Sequence, residues 1–299
     1  MSRPDSPLEG EGRPNIAEAY RHCAGLAKGH YENFPVASLL IPRRLRRHIY
    51  ALYAFCRHVD DLGDEAETDR EARLLALDRW EEELERCYHS HGEPGHPIMA
   101  ALAETIREFH LPREPFLKLI EANRLDQRKR RYRTYEELLH YCDHSANPVG
   151  RVFLYLCGYC DEERQRLADC TCTALQLTNF WQDIALDLEK DRIYIPQEDM
   201  ARFGYSEEEL KEHKVNDRFR RLMEFELART RVLFREGLRL VELVEGRLKV
   251  DIELFSLGGL AILKKIEEAD YDLFRRRPRL SKPEKLGLFL QTLLNRHGS

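Results

Sequence analysis

Five oxygen-bearing side chains fall into two rows stepped by one helical turn: Asp60 and Asp64 in "LYAFCRHVDDLGDE", and Asn179, Asp183 and Asp187 in "NFWQDIALD". At about 100° per residue, Gln176, Asn179, Asp183 and Asp187 share one narrow sector of a helix expected around residues 175 to 188. Leu175 and Leu186 flank that sector on one side and Phe180 on the other, while Trp181, Ile184 and Leu188 cover the opposite face. In the earlier stretch Tyr53, Arg57, Asp60 and Asp64 share a sector, with Asp61 at its margin and Leu52, Phe55, Val59 and Leu62 opposite. Like charges one turn apart cost about 0.2–0.5 kcal/mol per pair, so each row is mildly unfavourable until a cation sits between its carboxylates. A thin polar stripe on a mostly apolar helix predicts the lining of an internal cavity; a narrow solvated face is the plainer alternative.

Magnesium suits these donors. It prefers oxygen ligands, holds few protein carboxylates and completes its shell with water and phosphate oxygens. Zinc would ask for His or Cys. Two acidic helices facing each other across an apolar cavity would clamp a diphosphate through bridging magnesium ions, with Arg57 adding a direct charge and the walls holding hydrocarbon. For Arg57 the plainer alternative is a surface ion pair with Asp61.

The elements that position these rows are helices. Apolar residues recur at three- and four-residue spacing from about residue 16 to 292, and alternating strand-like runs bounded by Gly turns are missing. Pro and Gly interrupt the period at "FPVAS", "IPRR", "HGEPGHP", "HLPRE", "ANPVG", "IPQEDM" and "RRRPRLSKP". The pattern predicts an all-α chain: a disordered tail over 1–15, then one domain of roughly ten helices over 16–292. Of the 299 residues, 42% are hydrophobic and 34% charged, which fits a helical protein that folds in water.

A net charge of -5 gives no global reason to bind nucleic acid. Basic residues nevertheless cluster at Arg43 to Arg47, at Arg124 to Arg133 and at Arg275 to Arg279; each cluster is either a solvated helix face or a contact for an anionic substrate or lipid headgroup. No run approaches the ~18 apolar residues of a membrane span, and the charged N-terminus has no apolar signal core. The expectation is a cytoplasmic protein, with peripheral contact at the inner membrane left open. Eight cysteines then read as reduced thiols, and Cys157, Cys160, Cys170 and Cys172 as helix packing instead of a zinc or redox site.

With both rows in view, the chain resembles the squalene/phytoene synthase family, head-to-head prenyl synthases of the all-α isoprenoid synthase fold. The resemblance runs from about His30 to about Phe289. "YAFCRHVDDLGDE" is similar to the family's first aspartate-rich motif and "LTNFWQDIALDLEKDRIYIP" to its second, about 120 residues later. The resemblance implies that Asp60, Asp64, Asn179, Asp183 and Asp187 hold magnesium and diphosphate, and that Tyr53 and Arg57 contact the diphosphate. It places His30 and Phe34 of "HYENFP" in a segment that closes over the substrate, and Gln176 and Gln182 at substrate-binding positions. Asp126 in "RLDQ" matches an acidic position, with a surface acid as its alternative.

Two departures carry information. Most members have Arg immediately before the third ligand, where this chain has Gln182. Where most read VAG-x-VG, "YCDHSANPVG" brings Asn147-Pro148, and Pro148 must break a backbone hydrogen bond to the preceding turn. With "HYENFPVASLLIP", these departures resemble the bacterial hydroxysqualene synthase branch of hopanoid pathways. That resemblance implies conversion of presqualene diphosphate and water to hydroxysqualene, with Asn147 or Tyr141 positioning the water. The implied functional partners are a preceding presqualene diphosphate synthase and a following squalene-forming oxidoreductase. The alternative is condensation of two farnesyl diphosphates to presqualene diphosphate, squalene or a phytoene-like product. A non-catalytic helical scaffold or lipid-binding protein that has kept the fold would have little reason to keep two unfavourable acidic rows.

Overall fold

A computed structural model describes residues 15–29, 42–64, 68–89 and 94–294. Among these residues there are fifteen helical segments and no strand; the one extended pairing is an isolated bridge between Arg131 and Ile193. The helix count exceeds the expected ten in part because continuous apolar runs are broken at single residues, at Ala146, Asp183 and Arg239, and in part because short helices form at Gln197–Phe203 and Glu207–Lys211. Each such residue leaves helical geometry or caps a turn without interrupting the hydrophobic period that sequence reading follows. The helices gather into two compact units, 1–127 and 128–299.

The first unit contains α1 (Ile16–Gly29), α2 (Arg43–Asp64), α3 (Arg70–Tyr88), α4 (Pro97–Phe109) and α5 (Glu114–Asp126). The face of α2 expected to be apolar is buried: Leu52, Phe55 and Val59 are at most 4% exposed. Phe55 stacks on Trp80 of α3 and meets Phe116 of α5 edge-on. That packing turns the opposite side of α2, with Tyr53, Arg57, Asp60 and Asp64, away from the unit's core.

The second unit contains α6 (Tyr135–Ser145), α7 (Asn147–Leu156), α8 (Glu162–Gln182), α9 (Ile184–Glu189), α10 (Gln197–Phe203), α11 (Glu207–Lys211), α12 (Asp217–Leu238), α13 (Leu240–Leu243), α14 (Leu248–Glu268) and α15 (Lys282–Leu294). The α8 helix starts on Asp161, whose carboxylate accepts from the Arg164 N–H, and it packs against α7, α12 and α14. At Gly237 α12 comes so close to Thr171 of α8 that a Cβ would collide with it. Trp181 is fully buried and its Nε1 donates to Thr230 Oγ1 at 3.0 Å. Burial of a ring this size resists truncation by roughly 3–5 kcal/mol, which locks the rotation of the α8 C-terminus. Between α10 and α12, Arg229 serves two buried carboxylates, donating to Asp199 Oδ2 at 2.7 Å and to Glu226 Oε2 at 2.8 Å, beneath the Tyr135 ring.

Candidate active site

In the first unit the α2 row is intact. Tyr53 and Arg57 are half-buried, and Asp60, Asp61 and Asp64 are exposed. Asp60 accepts a hydrogen bond from Asn123 Nδ2 of α5 at 3.2 Å. This approach depends on Gly63, where a Cβ would collide with Asn123 Oδ1. Gln127, at the end of α5, donates to the Gly63 carbonyl at 2.8 Å and fixes the two helices there. Water reaches the Asp60 carboxyl, yet partial removal from bulk solvent pushes it up to about 6; Asn123 and Arg57 oppose that rise, and Asp64 and Asp61 add to it. Desolvation also raises the Tyr53 phenol, against the pull of Arg57.

Arg57 takes the partner named as its plainer alternative: Nη2 lies 2.7 Å from Asp61 Oδ1. That pair uses one edge of the guanidinium. Its Nε is buried and has no hydrogen-bond partner among the described residues. Asp126 ends α5, half-buried, one turn beyond Asn123. His30 and Phe34 lie outside the described residues.

In the second unit the expected continuous helix over 175–188 is corrected. It stops at Gln182, Asp183 stands between α8 and α9 with φ -108° and ψ 13°, and α9 resumes at Ile184. Such dihedrals lie in the sparsely allowed bridge region. The break nevertheless preserves the register of the row. The Asp183 N–H donates to Asn179 O and the Asp187 N–H to Asp183 O, both at 2.9 Å, so the one-turn spacing survives. Trp181 and Ile184 are buried as expected, Asn179 is exposed, and Leu186, expected to flank a cavity, is 46% exposed. Asp187 lines a small, partly open recess with Phe180, Ile184, Leu188, Arg192 and Tyr194. The space it encloses is about that of a single water molecule, so by itself it holds neither a diphosphate nor a hydrocarbon chain.

Gln182 does not face an open site. It is buried, and its Nε2 donates to the Pro278 carbonyl. The neighbouring Arg277 makes a two-pronged ion pair with Asp183, one prong at 2.7 Å. Gln176 is half-buried on the preceding turn. Asn147 opens α7 after the break at Ala146, with Pro148 in the first turn, where its missing N–H costs nothing. Its Oδ1 accepts from Thr173 Oγ1 at 2.9 Å, which ties this break to α8. Tyr141 is buried in a cluster with Tyr132, Phe180 and Tyr194, in which Phe180 and Tyr194 stack at 3.8 Å.

Sequence reasoning missed Asn123, Arg277 and the Tyr132–Tyr194 side of the aromatic cluster. Arg277 was visible only as one of a basic cluster, and its pairing across 94 positions leaves no local signal. The middle basic cluster is largely committed to structure: Arg124 pairs with Asp78 and Glu81, Arg131 bridges Asp191 and Glu207, and Lys129 and Arg133 pair with Glu137. All eight cysteines are free thiols, and Cys172 packs where Gly150 makes room for it.

The donor set fits magnesium. Asp60, Asp64, Asn179, Asp183 and Asp187 offer oxygen only, Asp183 already holds a cationic guanidinium, and the unpartnered Arg57 Nε suits a phosphate oxygen. Among the described residues no three His, Cys, Asp or Glu side chains form a preformed metal cage. A magnesium ion that keeps waters and substrate oxygens needs none.

The family model for squalene/phytoene synthase matches residues 27–284. A 15-cis-phytoene synthase of Synechococcus elongatus is 32% identical over 275 residues, 88% of each chain. That of Synechocystis sp. is 34% identical over 291 residues, covering 91% of this chain and 83% of the other. The crystal structure of squalene synthase HpnC from Alicyclobacillus acidocaldarius superposes with a TM-score of 0.82 at 48% identity, over 86% of this chain and 95% of that one.

Proposed function

Because this chain belongs to the squalene/phytoene synthase family, we propose that it converts presqualene diphosphate and water to hydroxysqualene and diphosphate. Family membership makes it an enzyme of isoprenoid biosynthesis, with the all-α isoprenoid synthase fold and a prenyl diphosphate substrate. The observation that carries the finer reading is the neutral Gln182 beside Asp183, together with the Asn147-Pro148 break, in a chain 48% identical to the squalene synthase HpnC. Residues 16–292 act as one catalytic domain in this reading.

Each side chain has a role that its chemistry allows. Asp60, Asp64, Asn179, Asp183 and Asp187 would hold magnesium, which would supply positive charge to a departing diphosphate. Arg57 directs its unpartnered Nε to a phosphate oxygen and Tyr53 hydrogen-bonds beside it. Asp126 stands at the end of α5, and His30, Phe34 and Gln176 border the substrate. The carbon–oxygen bond breaks with its electron pair leaving on the diphosphate. The cation rearranges, and a water oxygen closes the new bond and gives up a proton to the released diphosphate. Asn147, whose Oδ1 is engaged by Thr173, offers its amide N–H groups to that water, with Tyr141 nearby in sequence. A presqualene diphosphate synthase would supply the substrate and an oxidoreductase would consume the alcohol. So apolar a product favours peripheral contact with a membrane; among the described residues no helix is long and apolar enough to cross one.

The phytoene synthases at 32% and 34% identity favour a second reading, condensation of two prenyl diphosphates. One experiment separates the two. Presqualene diphosphate and magnesium are supplied in heavy-oxygen water, with and without reduced nicotinamide cofactor, and C30 products are weighed by mass spectrometry. A labelled alcohol in both tubes is expected. Squalene formed only with the cofactor would overturn the proposal, and inert presqualene diphosphate would move the assignment to condensation of farnesyl diphosphate.

A further inference from the structure

The Arg277 guanidinium engages both oxygens of Asp183, Nε to Oδ1 and Nη2 to Oδ2, with the two side chains 34% and 23% exposed. One residue earlier on α8, Gln182 Nε2 donates to the carbonyl of Pro278, one residue later than Arg277. A carbonyl only accepts, so the Gln182 amide must turn its nitrogen to that bond. Two adjacent residues at the end of α8 therefore grip two adjacent residues of the 275–281 segment. The positive charge that most family members carry at position 182 is present here, but it arrives from Arg277 and is seated on the carboxylate itself. A divalent ion and a guanidinium repel each other and compete for the same two oxygens.

We propose that Arg277, positioned by Gln182 through the Pro278 carbonyl, is a built-in counter-ion that competes with the divalent cation for Asp183 and must leave before Asp183 can ligate metal. The inference rests on the reading of Asp183 as a magnesium ligand. It makes Gln182 a positioning residue, acting through Arg277 and touching neither metal nor substrate.

The test is calorimetric titration of magnesium chloride into the full metal-free chain, for wild type, R277M, Q182L, the double variant and D183N, with folding checked by circular dichroism. R277M should lower the magnesium Kd about five- to tenfold, the scale of one partly exposed charge-assisted pair. Q182L should lower it by a smaller factor, and the double variant should bind no tighter than R277M. Damage to the fold would weaken metal binding, so a tightening cannot come from a merely structural loss. An unchanged or raised Kd in R277M overturns the inference. If R277M does not fold, R277K, which keeps a charge without the fork, should tighten binding by a smaller factor, and no tightening there overturns it equally. D183N separates the two failures: weaker magnesium binding in D183N without tightening in R277M sinks the counter-ion alone, whereas unchanged binding in D183N sinks the ligand reading with it.

Discussion

Arg57 shows how one residue can satisfy two descriptions at once. Its pair with Asp61 is the ordinary one-turn ion pair, 42% and 53% exposed, and such pairs contribute about 0.3–0.5 kcal/mol. Among the described residues the same guanidinium keeps Nε buried without a partner, and an unmet buried donor is costly unless a ligand meets it. Arg57→Lys retains charge and loses the planar fork. Turnover at saturating magnesium should fall about a hundredfold, the lower end for removal of one donor to developing negative charge, while thermal stability barely moves. Near-normal turnover in the lysine variant would assign Arg57 to the surface pair. Asp60 makes the complementary point: its hydrogen-bond donor Asn123 comes from another helix, which approaches closely because residue 63 has no side chain.

Among the helices, α8 and α12 hold the second acidic row in place, and the contact of α12 with α10 carries a titratable load. Arg229 faces both Asp199 and Glu226, so with both acids ionised the cluster holds one unbalanced buried negative charge. Burial first, then the Asp199 charge, push Glu226 up to about 8 against the pull of Arg229. An unfolded glutamate titrates near ~4.3. Between these values the folded chain keeps a proton that the unfolded chain has released, so this group's contribution to stability falls as pH rises through about 4.3 to 8 and then levels off. Glu226→Gln keeps the acceptor for Arg229 and removes the titration. The melting temperature of the variant minus that of wild type should therefore grow more positive from pH 5 to pH 8.5. A difference that stays flat over that range would show that Glu226 does not titrate in the folded chain.

For the whole molecule the assignment makes a thermodynamic demand. A ligand that binds only the folded chain stabilises it by about 2.7 kcal/mol at a hundred times its Kd. Inorganic diphosphate with magnesium should raise the melting temperature by several degrees, and diphosphate with a chelator should not. Asp60→Asn and Asp183→Asn should each reduce that protection, although one lies in the first compact unit and the other in the second. Equal protection with and without the metal would remove magnesium from the proposal.

The sequence by itself determined the helical class, the buried face of α2, the spacing of both acidic rows and the family. The first three rest on period and residue type within single helices, where the i to i-4 geometry that sets the period is local, and the family rests on the resemblance of two motifs, each contained in one short stretch of chain. It also located the break at Asn147-Pro148, because proline acts on its own turn. Only the tertiary structure decided that α8 stops at Asp183, where no Pro or Gly marks the stop. It also decided that Asn123 reaches Asp60 over Gly63, that Gln182 faces the Pro278 carbonyl, and that Arg277 sits on Asp183. The last three join residues far apart in the chain. Their pairing energy depends on which side chains the packing of whole helices brings within about 3 Å, and no local pattern of hydrophobic and polar residues encodes that distance.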